Sequence, residues 1–395
     1  MDAPPAVLYS AFDVVPSPKG ASTHITYFVR GLVDAGYRVQ LITAGDPSLP
    51  ERDTYCGADI LRVPGGDPNF LKRAIEFGQA VMQHIDGMGM PSYGICHFRS
   101  IWCGLPIVQA KPHYGYKTLF EVNGLPSIEL KYHYPALKGS TVLSKIKEQE
   151  IATLLLADAI ICPSAVTRAF VASLARSVPR EKITVIPNGV DIKLFTPQPL
   201  NPPSDSRTIL YVGTLADWQG LDLLIEAMPA IVAQSPAKLI IVGRGRGRQH
   251  KDLAKRIRKL GLEDHVSIEP AVPHHEMPAI IAQADVCVAP LAYNDRNVTQ
   301  GCCPIKVIEY MACARPIVAA NLPVVRELAR DDVDALLFTP DDPADLARCV
   351  LAVLNDASLA QRLAGSAAKR AKDKFSWREA QKKLLQSYER LICDV

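Results

Sequence analysis

Short apolar runs alternate with amphipathic, helix-length stretches from one end of the chain to the other. A continuously apolar strand is buried on both faces, and parallel neighbours need a crossover, usually a helix. The alternation therefore predicts an α/β architecture, with parallel sheets covered by helices on both sides. Candidate strands fall at 6–12, 39–43, 60–63, 95–98, 118–122, 159–162 and 183–186. A second set falls at 208–212, 238–242, 266–269, 286–289, 317–319 and 335–338. A helix over 23–35, ended by Gly36, joins the first two strands.

The alternation is interrupted once. Residues 195–206 read Phe-Thr-Pro-Gln-Pro-Leu-Asn-Pro-Pro-Ser-Asp-Ser, and the four prolines exclude helix and interior strand. We read an N-terminal domain over 1–195, a Pro-rich linker over 196–206 and a C-terminal domain over 207–375. The expected arrangement is two Rossmann-like domains facing across a cleft, and a length of 395 residues suits it. A last helix over 376–395 carries Trp377, Leu384, Leu385, Tyr388, Leu391 and Ile392 on an apolar stripe. It is a candidate to cross back to the first domain, although its sequence names no partner.

Charge argues against one class of partner. The chain holds 44 Lys and Arg against 41 Asp and Glu, and split at residue 200 the counts are 19 to 17 and then 25 to 24. Neither half is basic enough to make nucleic acid the main partner. The ten cysteines show no Cys-x-x-Cys and no zinc-like spacing. Several, such as Cys162 and Cys287, lie in apolar runs, so buried, reduced thiols in a cytoplasmic protein are expected. No charged leader precedes the first strand, and no apolar run reaches the roughly 18 residues of a membrane span. Peripheral contact at a membrane face stays open, as does the oligomeric state.

In open α/β sheets, ligands meet the carboxyl ends of strands, where loops and helix N-termini converge. Four such junctions stand out. Pro16-Ser17-Pro18-Lys19-Gly20-Ala21-Ser22-Thr23 follows the first strand; it suits close approach of an anion to backbone amides, and equally a plain turn capped by Thr23. Pro187-Asn188-Gly189-Val190-Asp191 reads as a tight turn with positive φ. Val212-Gly213-Thr214, continuing to Gln219-Gly220, has the strand–Gly–loop–helix plan of a phosphate cradle. Finally, residues 304–312 read as a helix that places Lys306 and Glu309 on one face. That pair is either a surface ion pair or a cation for phosphate beside a carboxylate for ribose hydroxyls.

Taken together and in order, the Pro-Asn-Gly-Val-Asp turn, the Val-Gly opening, the Glu309-Tyr310-Met311-Ala312-Cys313 helix and the Phe375-Ser376-Trp377 tail resemble the large family-four group of glycosyltransferases. The resemblance spans nearly the whole chain. It implies the GT-B fold, a metal-independent reaction that retains anomeric configuration, acceptor contacts mainly in the first domain, and a nucleotide diphosphate sugar held mainly by the second. No cofactor is implied beyond that co-substrate.

Residue by residue, the resemblance gives Glu309 the ribose, as the second Glu of Glu-x7-Glu. Gly301 stands where the first Glu is usual. Thr214 and Gln219 replace the family's Arg and Lys at the diphosphate, and Lys306 is the residue that can supply the missing charge. Gly20, Ala21, Gly213 and Arg244 complete the donor set, Arg244 being the first residue of a basic run to Lys259. In the first domain, His97 matches the first position of a His-x-His pair and Arg99 the second, so both are catalytic candidates. Asn123, where His is common, is a candidate acceptor contact together with Tyr132 and His133. Asn297-Val298-Thr299 is a glycosylation sequon by pattern.

The resemblance thus implies a glycosyltransferase acting on a hydroxyl acceptor in polysaccharide, lipid-linked saccharide or glycolipid synthesis. An epimerase or phosphorylase on the same fold stays open. So does a sugar-nucleotide binding protein that has lost catalysis, given Gly301, Thr214 and Gln219.

Overall fold

The computed structural model describes residues 5–88, 93–202, 204 and 206–393. Fourteen strands form two sheets, one in each of two compact units. The first unit comprises residues 1–187 and 378–395, and the second residues 188–377. The chain thus leaves the first unit at Pro187 rather than in the Pro-rich stretch, which lies inside the second unit. Arg315, fully buried, donates to the carbonyls of Gln198 and Pro199 and fastens the stretch to the body of the unit. Positions 203 and 205 of the predicted linker, like 1–4 and 394–395 at the ends, lie outside the described residues.

In the first unit, β1 (Val7–Val14), β2 (Val39–Ala44), β3 (Arg52–Tyr55), β4 (Ala58–Val63), β5 (Ile95–Phe98), β6 (Lys117–Glu121), β7 (Ala159–Cys162) and β8 (Ile183–Val185) make an eight-stranded sheet. Their order is β3-β4-β2-β1-β5-β6-β7-β8, parallel throughout except where β3 runs antiparallel to β4 at the edge. Only β3 departs from the predicted pattern. Its polar Arg-Asp-Thr-Tyr sequence is mostly exposed, so it has no apolar run to betray it.

In the second unit, β9 (Arg207–Val212), β10 (Ala237–Gly243), β11 (Val266–Pro270), β12 (Val286–Ala289), β13 (Ile317–Ala320) and β14 (Leu336–Phe338) form a parallel sheet ordered β11-β10-β9-β12-β13-β14. Each unit has one place where the strand order reverses, beside β1 and β5 in the first and β9 and β12 in the second. A crevice at the carboxyl ends of such strands is where this architecture binds ligands.

The helix after β1 runs Gly20–Asp34 and starts three residues before Thr23, so Thr23 is not its cap. Gly36 ends it in the left-handed region, φ 88°. The last helix, Trp377–Cys393, buries Leu384, Tyr388 and Leu391 against the first unit. Leu385 is only half-buried and Ile392 is exposed, so the stripe is narrower than its sequence pattern.

One predicted turn has a different cause from the expected one. Gly189 does not adopt positive φ. A Cβ there would lie 2.5 Å from the backbone nitrogen of Trp377, so glycine is needed for close approach of two chain segments. Val190 donates to the Phe375 carbonyl at 2.7 Å and accepts from Trp377 at 3.2 Å.

No disulfide joins the ten cysteines: Cys56 is half-buried, Cys393 exposed, and the other eight buried. Among the described residues no helix is long and apolar enough to cross a membrane. Asn297 of the sequon is fully buried, its amide donating to the carbonyls of Trp218 and Ala292, and is no acceptor for a glycan.

Candidate active site

Two clusters form at the two reversal points, one in each unit. In the first unit the centre is Glu121, the last residue of β6, a carboxylate directly after Leu119 and Phe120 and itself buried. Tyr9 on β1 donates to its Oε2 at 2.6 Å, and His97 on β5 meets the same oxygen at 3.0 Å. Arg99 Nε donates to Oε1 at 2.8 Å, the Asn123 amide donates to Oε1 as well, and His24 Nε2 approaches it to 2.9 Å. Burial by itself would raise the carboxyl's pKa. The neighbouring His24 and Arg99, with hydrogen bonds from His24 and His97, outweigh it and hold the group well below the usual carboxylate range. Burial pushes the Tyr9 phenol well up, and the adjacent Glu121 charge adds to this.

The cluster revises the assignments of His97 and Arg99. His97 is fully buried, with Nδ1 on the Tyr388 hydroxyl at 2.9 Å and Nε2 on Glu121. Burial lowers its pKa, the Glu121 contact opposing that, and neither nitrogen is left over for a substrate. His97 thus bridges Glu121 and the Tyr388 hydroxyl of the last helix. Arg99 is likewise committed, to Glu121, Asp13 Oδ2 at 3.3 Å and the Ala21 carbonyl at 3.3 Å. Gly20 and Ala21 lie in the first turn of the helix after β1, where Arg99 holds the Ala21 carbonyl. Asn123 is held at the same edge. Tyr132 and His133 are half-buried at the end of the Pro126–His133 helix.

Sequence reasoning missed Tyr9, His24, Glu121 and Tyr388. The available sign was Glu121 itself, since an acid that continues the apolar Leu119-Phe120 run is rarely buried without partners.

In the second unit, β9 ends at Val212 and is followed by Gly213, which has φ 140°. A side chain there would come within 2.8 Å of Lys306 Nζ, so glycine leaves the ammonium lying on the backbone. Lys306 Nζ donates to Gln219 Oε1 at 2.7 Å and stands 3.8 Å from the centre of the Tyr211 ring, a cation–π contact of about 0.5–2 kcal/mol. Although the residue keeps some exposed surface, burial of the ammonium drives its pKa well below the usual lysine value, with Glu309 opposing the shift. Gln219 also reaches Thr214 Oγ1 at 3.4 Å. The two residues standing in for the family's basic pair thus order Lys306 rather than add charge.

The helix carrying Lys306 and Glu309 runs Ile305–Ala312. Tyr310 on its inner face accepts the Val212 amide at 2.8 Å, pinning helix to strand end. Glu309 is 6% exposed, with Oε1 on His274 Nε2 at 2.8 Å. Gly301, φ 82°, follows the Arg296–Gln300 turn and is buried. The Asn188 side chain donates to the Cys303 carbonyl at 2.7 Å, tying the Asn-Gly turn to the segment that leads into this helix. The Arg244 side chain is exposed, and its carbonyl accepts the Leu215 amide at 3.0 Å, beside the Thr214 loop. The structure therefore brings together Gly213, Thr214, Gln219, Lys306 and Glu309.

Doubly wound sheets with polar clusters at their reversal points serve many enzyme classes, and comparison with known proteins narrows the class. The family description "Glycosyltransferase Family 4" matches residues 18–194, and "Glycosyl transferases group 1" matches residues 206–356. An uncharacterized glycosyltransferase of Methanocaldococcus jannaschii is 26% identical over 94% of both chains. The D-inositol 3-phosphate glycosyltransferase of Thermobispora bispora is 26% identical over 93% of this chain and 89% of its own. Among solved structures, sucrose-phosphate synthase from Thermosynechococcus elongatus superposes with a TM-score of 0.82 at 22% identity, covering 99% of this chain and all of that one. Anabaena HepE in complex with UDP and glucose gives 0.77 at 16%, covering 98% of this chain and all of its own. The chain belongs to the family-four, group 1 glycosyltransferases and has their GT-B fold.

Proposed function

We propose that this glycosyltransferase moves a sugar from a nucleotide diphosphate sugar to a hydroxyl acceptor with retention of configuration, in polysaccharide, lipid-linked saccharide or glycolipid synthesis. The observation that carries the donor reading is the Lys306 ammonium lying on Gly213 at a strand-order reversal, one helical turn from Glu309. In this reading the diphosphate meets Lys306, the backbone at Gly213 and Thr214, and Arg244, while Glu309 accepts from ribose hydroxyls. Negative charge that grows on the departing diphosphate is stabilised by an ammonium already in place. The sugar passes through an oxocarbenium-like state. With His97 and Arg99 committed to Glu121, the leaving phosphate deprotonates the acceptor on the same face.

Asn123, with Tyr132 and His133, is the acceptor-side set in this reading. A hydroxyl acceptor is supported by the relatives' names, which include D-inositol 3-phosphate glycosyltransferase. A sugar nucleotide as donor is supported by the HepE structures, obtained with UDP and with UDP-glucose. The reading assigns no metal and no resident cofactor, and places the enzyme in the cytoplasm, in peripheral contact with a membrane if the acceptor is lipid-linked.

The test is a thermal-shift panel of UDP-, GDP-, ADP- and TDP-sugars, since a ligand of the native state alone raises its stability. A stabilising donor is then incubated with candidate acceptors, and the anomeric configuration of the product is read by NMR. Inversion would sink the retaining mechanism, and no stabilisation by any sugar nucleotide would sink the donor reading.

A further inference from the structure

The carboxylate of Glu309 is held from one side only. Oε1 meets His274 Nε2 at 2.8 Å, and no other hydrogen bond to the carboxylate forms among the described residues. His274 follows β11 in the short turn His274–Glu276, so it reaches Glu309 from a different part of the sheet's carboxyl edge. The imidazole is propped from behind by Phe195, ring centroids 5.1 Å apart and tilted by 47°. Phe195 is itself buried, and its amide donates to the Asp191 carbonyl at 2.8 Å in the segment that continues the Asn188-Gly189 turn. His274 remains 31% exposed by its side chain, while the adjacent His275 is 75% exposed and faces only Glu276 at 3.6 Å.

A buried carboxylate with an untethered side chain has two oxygens and several rotamers to choose from. Tying Oε1 fixes which oxygen is presented and in what direction, before any ligand arrives. We infer that His274 is a positioning residue that orients Glu309 so that Oε2 meets the ribose hydroxyls of the donor; this rests on the donor reading of Glu309 proposed above. His274 acts through Glu309 and not on the sugar, so its effect belongs to the ribose and not to the diphosphate or the base.

The experiment measures Kd by calorimetry for UDP, GDP and ADP and for their 2′,3′-dideoxy counterparts, with the full chain and its variants His274→Ala, His274→Gln and His275→Ala. Glutamine places an N–H donor where Nε2 stands. For the nucleotide that binds best, His274→Ala is expected to weaken the ribose form about tenfold, the worth of one hydrogen bond to a charged group. The dideoxy form is expected to change little, His274→Gln to recover most of the loss, and His275→Ala to match the parent. Equal weakening of ribose and dideoxy forms, or none of either, overturns the inference while leaving the donor reading intact. If no nucleotide binds the unaltered chain, the donor reading falls and the inference with it.

Discussion

Lys306 is a cation that the protein keeps partly reluctant to be one. Burial lowers its proton affinity, and a bound diphosphate would raise it again. Binding should therefore take up protons. The free site loses its charge as pH rises through the lowered pKa, so donor affinity should fall with rising pH, starting below the ordinary lysine range. Calorimetry in buffers of different ionisation enthalpy reads this directly, and Lys306→Met should abolish both the uptake and the pH slope. Glu121 carries the opposite sign. Its folded pKa is depressed, so its contribution is fully present above the unfolded value and is lost as pH falls through the folded one. Glu121→Gln should flatten the acid limb of stability against pH, and Glu121→Ala, which strands Arg99, should cost about 3–5 kcal/mol in urea unfolding. At this scale the sequence was a partial guide. Lys306 and Glu309 were visible because their spacing puts them on one helix face. His97 was visible as a motif position, but its role was not. Whether a histidine meets substrate or a buried carboxylate depends on Tyr388, which lies 291 positions away.

Elements were far more legible, for a physical reason. A parallel strand covered on both faces must be apolar along its length, as β12 and β13 are, and thirteen of the fourteen described strands coincide with segments predicted from the sequence. The exception, β3, sits at an edge where solvent relaxes that demand. Turn chemistry was less transparent. Asn-Gly suggests a left-handed turn from local propensity alone, whereas at 188–189 the glycine answers to Trp377, far along the chain. Gly189→Ala should accordingly destabilise the second unit by roughly 1–3 kcal/mol through overpacking. Were positive φ the constraint, Gly189→Asn would be tolerated; with the Trp377 backbone in the way, both substitutions should lower the melting temperature.

For the molecule as a whole, donor contacts assigned to one unit make a regional prediction. A stabilising sugar nucleotide should slow amide exchange most in β9, the Gly213 loop and the Ile305–Ala312 helix, and far less in the sheet around Glu121. Protection spread evenly over both sheets would count against that assignment. Domain number was readable from length and from the repeated βα pattern. The boundary was not, because proline content reports local stiffness and says nothing of which carbonyls Arg315 will collect.

The return of residues 378–395 to the first unit also has a meaning in time. During synthesis the sheet of the first unit emerges before the second unit, and the helix bearing Tyr388 follows only after it. The unit begun first is thus completed only once the other has been made. While the ribosome works through residues 188–377, His97 waits without its phenolic partner.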